Sequence, residues 1–376
     1  MKPKLAFINS KLNKLKSDNL IRRLENTVVN KQFIYVKNKK LLNLSSNDYL
    51  GLNLGNLHFK QFQSSSRSVT GNNEKFLELE KKISKHKSQE STLVYPTGYM
   101  ANLGAITAII EKENTIFSDE LNHASIIEAC KLSSAKIKIF KHNDMNDLES
   151  KIKKTNGKKF IISEGVFSMD GDLSKIKEIT EISSKYDGIT ILDDAHGDFV
   201  FGKDGKGTAS EFGVGRKIDL YISSLSKGLG SFGGYVSSQK NVIDLCINRS
   251  KSFIYTSALP TTIIEFTLKK FNSNRESNRK KLWRNIKLFH KGLQEIGYET
   301  NSVSQIIPII IGDEKTTMKF GKYLLKNGIF AQPIRYPTVK KNSSRIRFSV
   351  TGWHTKNDIN QTLSILEKCA KKFRLT

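Results

Sequence analysis

The sequence predicts an α/β protein: a large, mostly parallel-sheet domain followed by a smaller α+β C-terminal domain. Three observations carry that expectation. Short apolar, β-rich runs alternate with amphipathic helical stretches through the middle third, the rhythm of units in which helices cover a parallel sheet. After Pro260 the pattern changes to a long helical region, two strand-like runs and a final helix. The chain has 376 residues, more than the ~100–200 of a typical single domain.

Taken in order, residues 1–45 read as an N-terminal segment, a helix and a short extended run (FIYV, 33–36) that pack on something else. Residues 46–250 read as the large domain. It opens with a helix from about 72 to 87, capped by Asn72 or Asn73, with Phe76, Leu79 and Ile83 on its apolar face. The strand candidates are TLVY (92–95), TIFS (115–118), KIKIF (136–140), KFIIS (159–163), GITIL (188–192) and DLYIS (219–223), with helices including 99–110 and 173–185. Residues 251–376 read as the small domain, with strands IIPIII (306–311) and RIRFSV (345–350) before a helix over 356–373.

Composition excludes several classes. No apolar run approaches the ~18 residues that span a bilayer, and the basic N-terminus has only four consecutive apolar residues (5–8), too few for a signal-peptide core. Cys130, Cys246 and Cys369 lie far apart, which leaves neither a disulfide framework nor a CxxC metal site. A cytoplasmic protein with no membrane partner and no metal is expected. The net charge is +26, concentrated in residues 1–40 and in 269–291, where Leu282, Ile286, Phe289 and Leu293 give a basic amphipathic helix. Solvated faces and steering of an anionic small substrate or carrier both account for it. No RNA-binding signature or zinc-finger spacing supports a nucleic acid partner.

The chemistry sits where strands end, which is where open α/β sheets bind ligands. Strand 159–163 runs into Glu164-Gly165-Val166-Phe167-Ser168, strand 188–192 into Asp193-Asp194-Ala195-His196, and strand 219–223 into Ser224-Leu225-Ser226-Lys227-Gly228. A carboxylate, a histidine three residues on and a lysine about thirty beyond suit an aldehyde cofactor with a pyridine ring. The lysine supplies the amine for a Schiff base and the carboxylate keeps the ring nitrogen protonated. Each residue alone has an ordinary alternative: a capping aspartate, a packed histidine, a surface lysine. Three in consecutive units are harder to obtain by chance. Upstream, Thr97-Gly98-Tyr99 opens a helix whose free N–H groups suit a phosphate, and His123 follows TIFS, placed to stack on a planar ring.

With those residues in place the chain resembles the α-oxoamine synthases, pyridoxal 5'-phosphate (PLP) enzymes of aminotransferase fold type I. The resemblance runs nearly end to end through LNLSSNDYLGL (42–52), SRSVTGN (66–72), YPTGYMANLGA (95–105), DELNHASIIEA (119–129), KHNDMNDLE (141–149), SEGVFSMDGDL (163–173), LDDAHGDFVFG (192–202), SSLSKGLGSFGG (223–234), YTSALP (255–260) and PIRYPTVKKNSSRIRFSVTGWHT (333–355). It implies that Lys227 carries the cofactor, Asp193 pairs with the ring nitrogen, His196 and Ser168 bond the ring oxygen, and His123 stacks on the ring. Gly98 and Tyr99, through the backbone, and Ser224 lie near the phosphate, with Thr256 or Ser257 reaching it from a partner subunit of a homodimer. Arg347 holds the amino-acid carboxylate with Asn47 nearby, while Arg22 and Thr338 contact the acyl substrate.

Within the family, SSNDYLGL and Glu164 resemble the branch that joins L-alanine to a pimeloyl thioester, on coenzyme A (pimeloyl-CoA) or on an acyl carrier protein. The alternative is glycine C-acetyltransferase chemistry or another branch. The chain departs from the family pattern at 62–66 (FQSSS, without the glycine-rich run), at Asp198 in place of a small residue, at Gly228 where alanine is common, and at Lys340 and Asn342 in place of Pro and Gly.

Overall fold

The structure is a computed structural model that describes residues 13–18, 27–52 and 65–375. Fourteen strands occur in them: β1 Thr27–Asn30, β2 Phe33–Val36, β3 Lys39–Asn43, β4 Ser91–Tyr95, β5 Thr115–Asp119, β6 Lys136–Phe140, β7 Lys159–Glu164, β8 Gly188–Asp193, β9 Leu220–Ser224, β10 Gly234–Ser238, β11 Ile306–Gly312, β12 Ile329–Phe330, β13 Gln332–Ile334 and β14 Ser344–Ser349.

The centre is a seven-stranded sheet in the order β4-β10-β9-β8-β7-β5-β6. The pairs from β9 to β6 are parallel, and β10 runs antiparallel to both β9 and β4. All six strands expected in this region form, within a residue or two of the expected ends. The reversed strand β10 was not among them: Gly-Tyr-Val-Ser-Ser is short and weakly apolar, and its partners on both sides define it more than its own pattern does.

Strands such as KFIIS are apolar throughout because both faces are covered. Phe160 and Ile162 point into one core with Ala101, Ala105 and Ile126, whereas Ile161 points into another with Ile152, Ile179 and Ile182. Helices Gly98–Ile109 and Ala124–Leu132 thus cover one face, and Met145–Lys153 and Ile176–Lys185 the other.

The C-terminal region builds a three-stranded antiparallel sheet, β11-β14-β13. Leu282, Ile286, Phe289 and Leu293 of helix Arg275–Ile296 are all buried, as the spacing predicts. The final helix, Lys356–Phe373, opens with a capping box between Thr355 and Asp358. The N-terminal strands join this end of the molecule through a parallel pairing of β3 with β12. From there the chain passes over the ends of the central strands as residues 44–52.

Candidate active site

Four strand ends and one helix start converge. β8 ends on Asp193, whose Oδ2 accepts from Asn102 Nδ2 at 2.7 Å and whose Oδ1 accepts from the Ala195 amide at 3.0 Å. Asn102 lies one turn into helix Gly98–Ile109 and also donates to Ser125 Oγ at 3.1 Å. Ser125 in turn holds His123: its amide donates to His123 Nδ1 at 3.2 Å and its Oγ lies 2.8 Å from the same nitrogen. A nitrogen that accepts an amide proton carries none, which puts the His123 ring proton on Nε2. Burial lowers the His123 pKa, Asp193 opposes the shift and Lys227 adds to it.

Lys227 follows β9 on a turn closed by Gly230 N donating to Lys227 O at 2.9 Å. Its Nζ lies 2.9 Å from His196 Nε2, and His196 Nδ1 lies 2.7 Å from the Tyr49 hydroxyl. Tyr49 donates its single proton to Asn47 Oδ1 at 3.0 Å. One tautomer satisfies the chain: Lys227 donates to Nε2, and Nδ1–H donates to Tyr49. Burial drives the His196 pKa well below its ordinary value, and the cations at Lys227 and Arg347 push the same way. The imidazole is neutral. Burial lowers the Lys227 amine as well, opposed by Asp193 and Glu164.

Arg347, on β14, reaches in from the small sheet. Its Nε donates to the Ser168 carbonyl at 2.6 Å, and its Nη1 to Ser349 Oγ at 2.9 Å and to Asn47 Oδ1 at 3.4 Å. Glu164, at the end of β7, is buried, and no partner among the described residues reaches its Oε1. Burial and the Asp193 charge raise its pKa well above the usual carboxylate range.

At the other edge of the cleft, Thr97 caps helix Gly98–Ile109 through Met100 N at 3.1 Å. A Cβ on Gly98 would stand 3.1 Å from Ser224 Cβ, and one on Gly234 would stand 2.5 Å from the Gly98 backbone nitrogen. Ser224 Oγ lies 2.8 Å from Ser226 Oγ beside that helix end. Free N–H groups, two hydroxyls and bare backbone form an anion cradle.

A family model for aminotransferases of class I and II matches residues 39–366. The chain belongs to that family. It is 40% identical to the 8-amino-7-oxononanoate synthase of Thermoanaerobacter pseudethanolicus, over 99% of this chain and 98% of that protein. It is 34% identical to 8-amino-7-oxononanoate synthase 1 of Bacillus subtilis, with both chains covered in full. Among solved structures, serine palmitoyltransferase of Sphingomonas wittichii superposes with a TM-score of 0.91 at 25% identity, over 99% of this chain and 98% of that one. The 8-amino-7-oxononanoate synthase of Francisella tularensis gives 0.76 at 28%, over 88% and 98%. The expected fold and the α-oxoamine synthase resemblance are borne out.

In this member of the class I and II aminotransferase family, most of the sequence-derived candidates come together: His123, Asp193, His196, Lys227, Asn47 and Arg347 share one bonded or charge-coupled cluster. Ser168 joins it through its carbonyl, and Gly98 and Ser224 meet at the cradle. The Tyr99 side chain turns away to bond Glu128. Thr338 sits exposed on the loop after β13, which touches the His123 loop through Lys340 and Glu120 at 3.2 Å. Arg22 lies outside the described residues. Thr256 and Ser257 line a small cavity with Arg67, Tyr95 and Pro96 of their own chain.

Sequence reasoning missed Asn102 and Tyr49, although both lie in quoted motifs. The signal for Asn102 was a polar residue inside the apolar run from Met100 to Ile110. Nothing local marks Tyr49, because its partner is 147 residues away.

Proposed function

We propose that the protein is a PLP-dependent acyltransferase that condenses L-alanine with a pimeloyl thioester. The products are 8-amino-7-oxononanoate, carbon dioxide and the free thiol, as in biotin biosynthesis. The observation that carries this reading is 40% identity over 99% of the chain to a synthase of that name, together with the Lys227–His196 and Asp193–Asn102 contacts at the strand ends. The shape match to serine palmitoyltransferase speaks to the fold; full-length identity favours the alanine-using branch.

The residues fit the cofactor. A buried carboxylate, a buried amine, a histidine wall and an anion cradle answer the four parts of pyridoxal phosphate, and the unpartnered Glu164 Oε1 and Asn102 Oδ1 mark polar surface facing no protein donor. When bound, the group supplies an aldehyde for the substrate amine and a cationic ring that withdraws electrons from the substrate α-carbon.

Asp193 holds the proton on the ring nitrogen, and Asn102 and the Ala195 amide keep its carboxylate aimed there. His123 would stack on the ring, and His196, once Lys227 turns from its Nε2 to the cofactor, would hold the ring oxygen together with Ser168. Arg347 and Asn47 bind the alanine carboxylate, a charge-assisted contact that fixes the α-carbon beside Lys227. Lys227 Nζ, its pKa lowered by burial, takes the Cα proton. A carbon–carbon bond then forms from Cα to the thioester carbonyl and the thiolate leaves. The His123 Nε2 proton stabilises the oxygen that becomes charged in that step. Loss of carbon dioxide follows, and Lys227 returns a proton to Cα.

Arg22 and Thr338 contact the acyl chain. The working unit is a homodimer in which Thr256 or Ser257 meets the partner's phosphate site. Exposed apolar side chains near that segment, Tyr255 at 81% and Val69 at 73%, favour burial against a second copy. No helix among the described residues is long and apolar enough to cross a membrane, and we place the enzyme in the cytoplasm.

Incubating the purified protein with pimeloyl-CoA and L-alanine, and measuring thiol and carbon dioxide release, tests the reading. Faster turnover of glycine with acetyl-CoA would assign it to the glycine C-acetyltransferase branch instead.

A further inference from the structure

Consecutive residues at two of the strand ends face opposite sides. Asp193 turns to Asn102, while its neighbour Asp194 turns away; Ser224 faces the anion cradle, while Ser223 turns away. On that far side lies a second polar cluster that the reaction above does not use. Lys87, the last residue of helix Glu74–Lys87, places Nζ 3.1 Å from Asp194 Oδ2, 2.9 Å from Asp198 Oδ1 and 2.8 Å from the Lys206 carbonyl. All three of its protons are used. Asp198 also accepts from His86 Nε2 at 3.2 Å, Ser223 Oγ at 3.2 Å and the Tyr235 hydroxyl at 2.5 Å. Asp194 also accepts from Thr208 Oγ1 at 2.8 Å. The side chains of Lys87, Asp194 and Asp198 are at most 1% exposed.

The surroundings leave no slack. A Cβ at Gly165, Gly197 or Gly207 would lie within 2.5 Å of an Asp194 carboxylate oxygen, and one at Gly228, next to Lys227, would lie 2.4 Å from the Asp198 carbonyl. The two departures from the family pattern at Asp198 and Gly228 thus meet at one point. Movement of the 194–198 segment is felt at Asp193, at His196 and at the lysine turn together.

We propose that Lys87 is a positioning residue for the reaction: by bridging Asp194 and Asp198 behind the strand ends, it fixes the segment that presents Asp193 and His196 to Lys227. The inference rests on the PLP reading of the site.

Removing one partner of a buried ionic group leaves an uncompensated charge, which the protein relieves by binding a proton or by shifting the backbone. With Lys87 present, burial already raises Asp194 to about 6, while Lys87 and His86 hold Asp198 below the usual carboxylate range. The charged or titratable groups facing the cluster are His86, Asp194, Asp198, Tyr221, Tyr235 and Arg275. His86 is lowered by burial and Tyr221 and Tyr235 are raised, so Asp194 is the group nearest neutrality, and losing Lys87 removes the charge that lowers both aspartates.

The test uses PLP-loaded enzyme and follows the cofactor absorbance band, kcat and KM from pH 5.5 to 9. Lys87→Met should lower kcat at least tenfold at pH 8.5 and recover several-fold toward pH 6, with the acyl-donor KM within twofold of wild type. Adding Asp198→Asn to it should flatten that pH profile and restore at least half of the lost activity on a logarithmic scale. Asp198→Asn alone, which retains the Lys87–Asp194 pair and so serves if Lys87→Met does not fold, should lower kcat three- to tenfold without moving the donor KM. A Lys87→Met enzyme with wild-type kcat at pH 8.5, or a loss independent of pH that Asp198→Asn leaves unrepaired, overturns the proposal. So does an Asp198→Asn enzyme with unchanged kcat. A wild-type protein that shows no cofactor band when loaded overturns the PLP reading, and this inference with it.

Discussion

Lys227 Nζ stands 2.9 Å from His196 Nε2, and the histidine's other nitrogen is bonded to Tyr49 at 2.7 Å. An amine meant to leave and return needs a neighbour that accepts a hydrogen bond without taking the proton. A neutral, buried imidazole does that, and Tyr49 keeps its accepting nitrogen toward the lysine. Replacing Lys227 with alanine should remove the cofactor absorbance band and lower kcat by about 10³-fold or more, since proton transfer and covalent attachment depend on the same atom. Spectra of the loaded variant beside a turnover assay decide it, and retention of full activity would reject the assignment.

Arg347 is a buried cation whose Nη1 lies 3.4 Å from Asn47 Oδ1. Arg347→Ala should raise the KM for L-alanine by roughly 10–100-fold, the range of a lost hydrogen bond to a charged group, while the donor KM changes little. Steady-state kinetics with each substrate varied separately measures this. An unchanged alanine KM would place the carboxylate elsewhere.

Asn102 gives Asp193 one of its two hydrogen bonds. Asn102→Ala should weaken cofactor retention about tenfold, equivalent to ~1.4 kcal/mol, and dialysis followed by fluorescence of the released cofactor reads it. Full retention would show that the Ala195 amide alone orients the carboxylate.

His142 bridges two loops of the site, 3.0 Å from Asp119 Oδ1 and 2.8 Å from Asp172 Oδ2. These two carboxylates outweigh its partial burial and raise its pKa to about 10. Because the folded value lies above the unfolded one, the stabilisation is fully present below pH ~6.5. It is lost as the pH rises through 10. His142→Gln should therefore lower Tm at pH 6 and 7, and the gap from wild type should close by pH 10.5. Melting curves with the same gap at both ends of that range would rule out an imidazolium clamp.

The basic helix from Arg275 to Ile296 leaves Lys280, Lys281, Arg284, Lys287 and Lys291 exposed. If its field steers an anionic thioester, kcat/KM for the donor falls with ionic strength while the alanine dependence hardly moves. Equal salt sensitivity for both substrates would return the charge to simple solvation.

Much of this architecture was legible in the chain. Doubly covered strands are apolar without interruption, and the polar residues that follow them, Asp193, His196 and Lys227, stand out against that background. The rest depended on distance along the chain. Lys87 reads as one more basic residue in a helix's last turn, the usual place for a solvated cation, and only the fold brings Asp194 and Asp198 to it. β10 was invisible because its identity comes from β4 and β9 on either side. Tyr49 and Arg347 belong to one pocket through contacts spanning 147 and 300 positions.

The union of β3 with β12 has a temporal side. Leu42 N donates to the Gly328 carbonyl and Leu44 N to that of Phe330, both at 2.8 Å, and Ser349 N then donates to Leu44 O at 2.8 Å. β3 can pair with β2 at once, but its other edge and residue 44 wait for partners nearly three hundred residues further along the chain. Translation at ~5–20 residues per second leaves the Asn47–Tyr49 stretch without its docking surface for tens of seconds, until Ser344–Ser349 has emerged. A nascent chain stalled before that point would lack Arg347 and the bond that seats residue 44, however well its central sheet had formed.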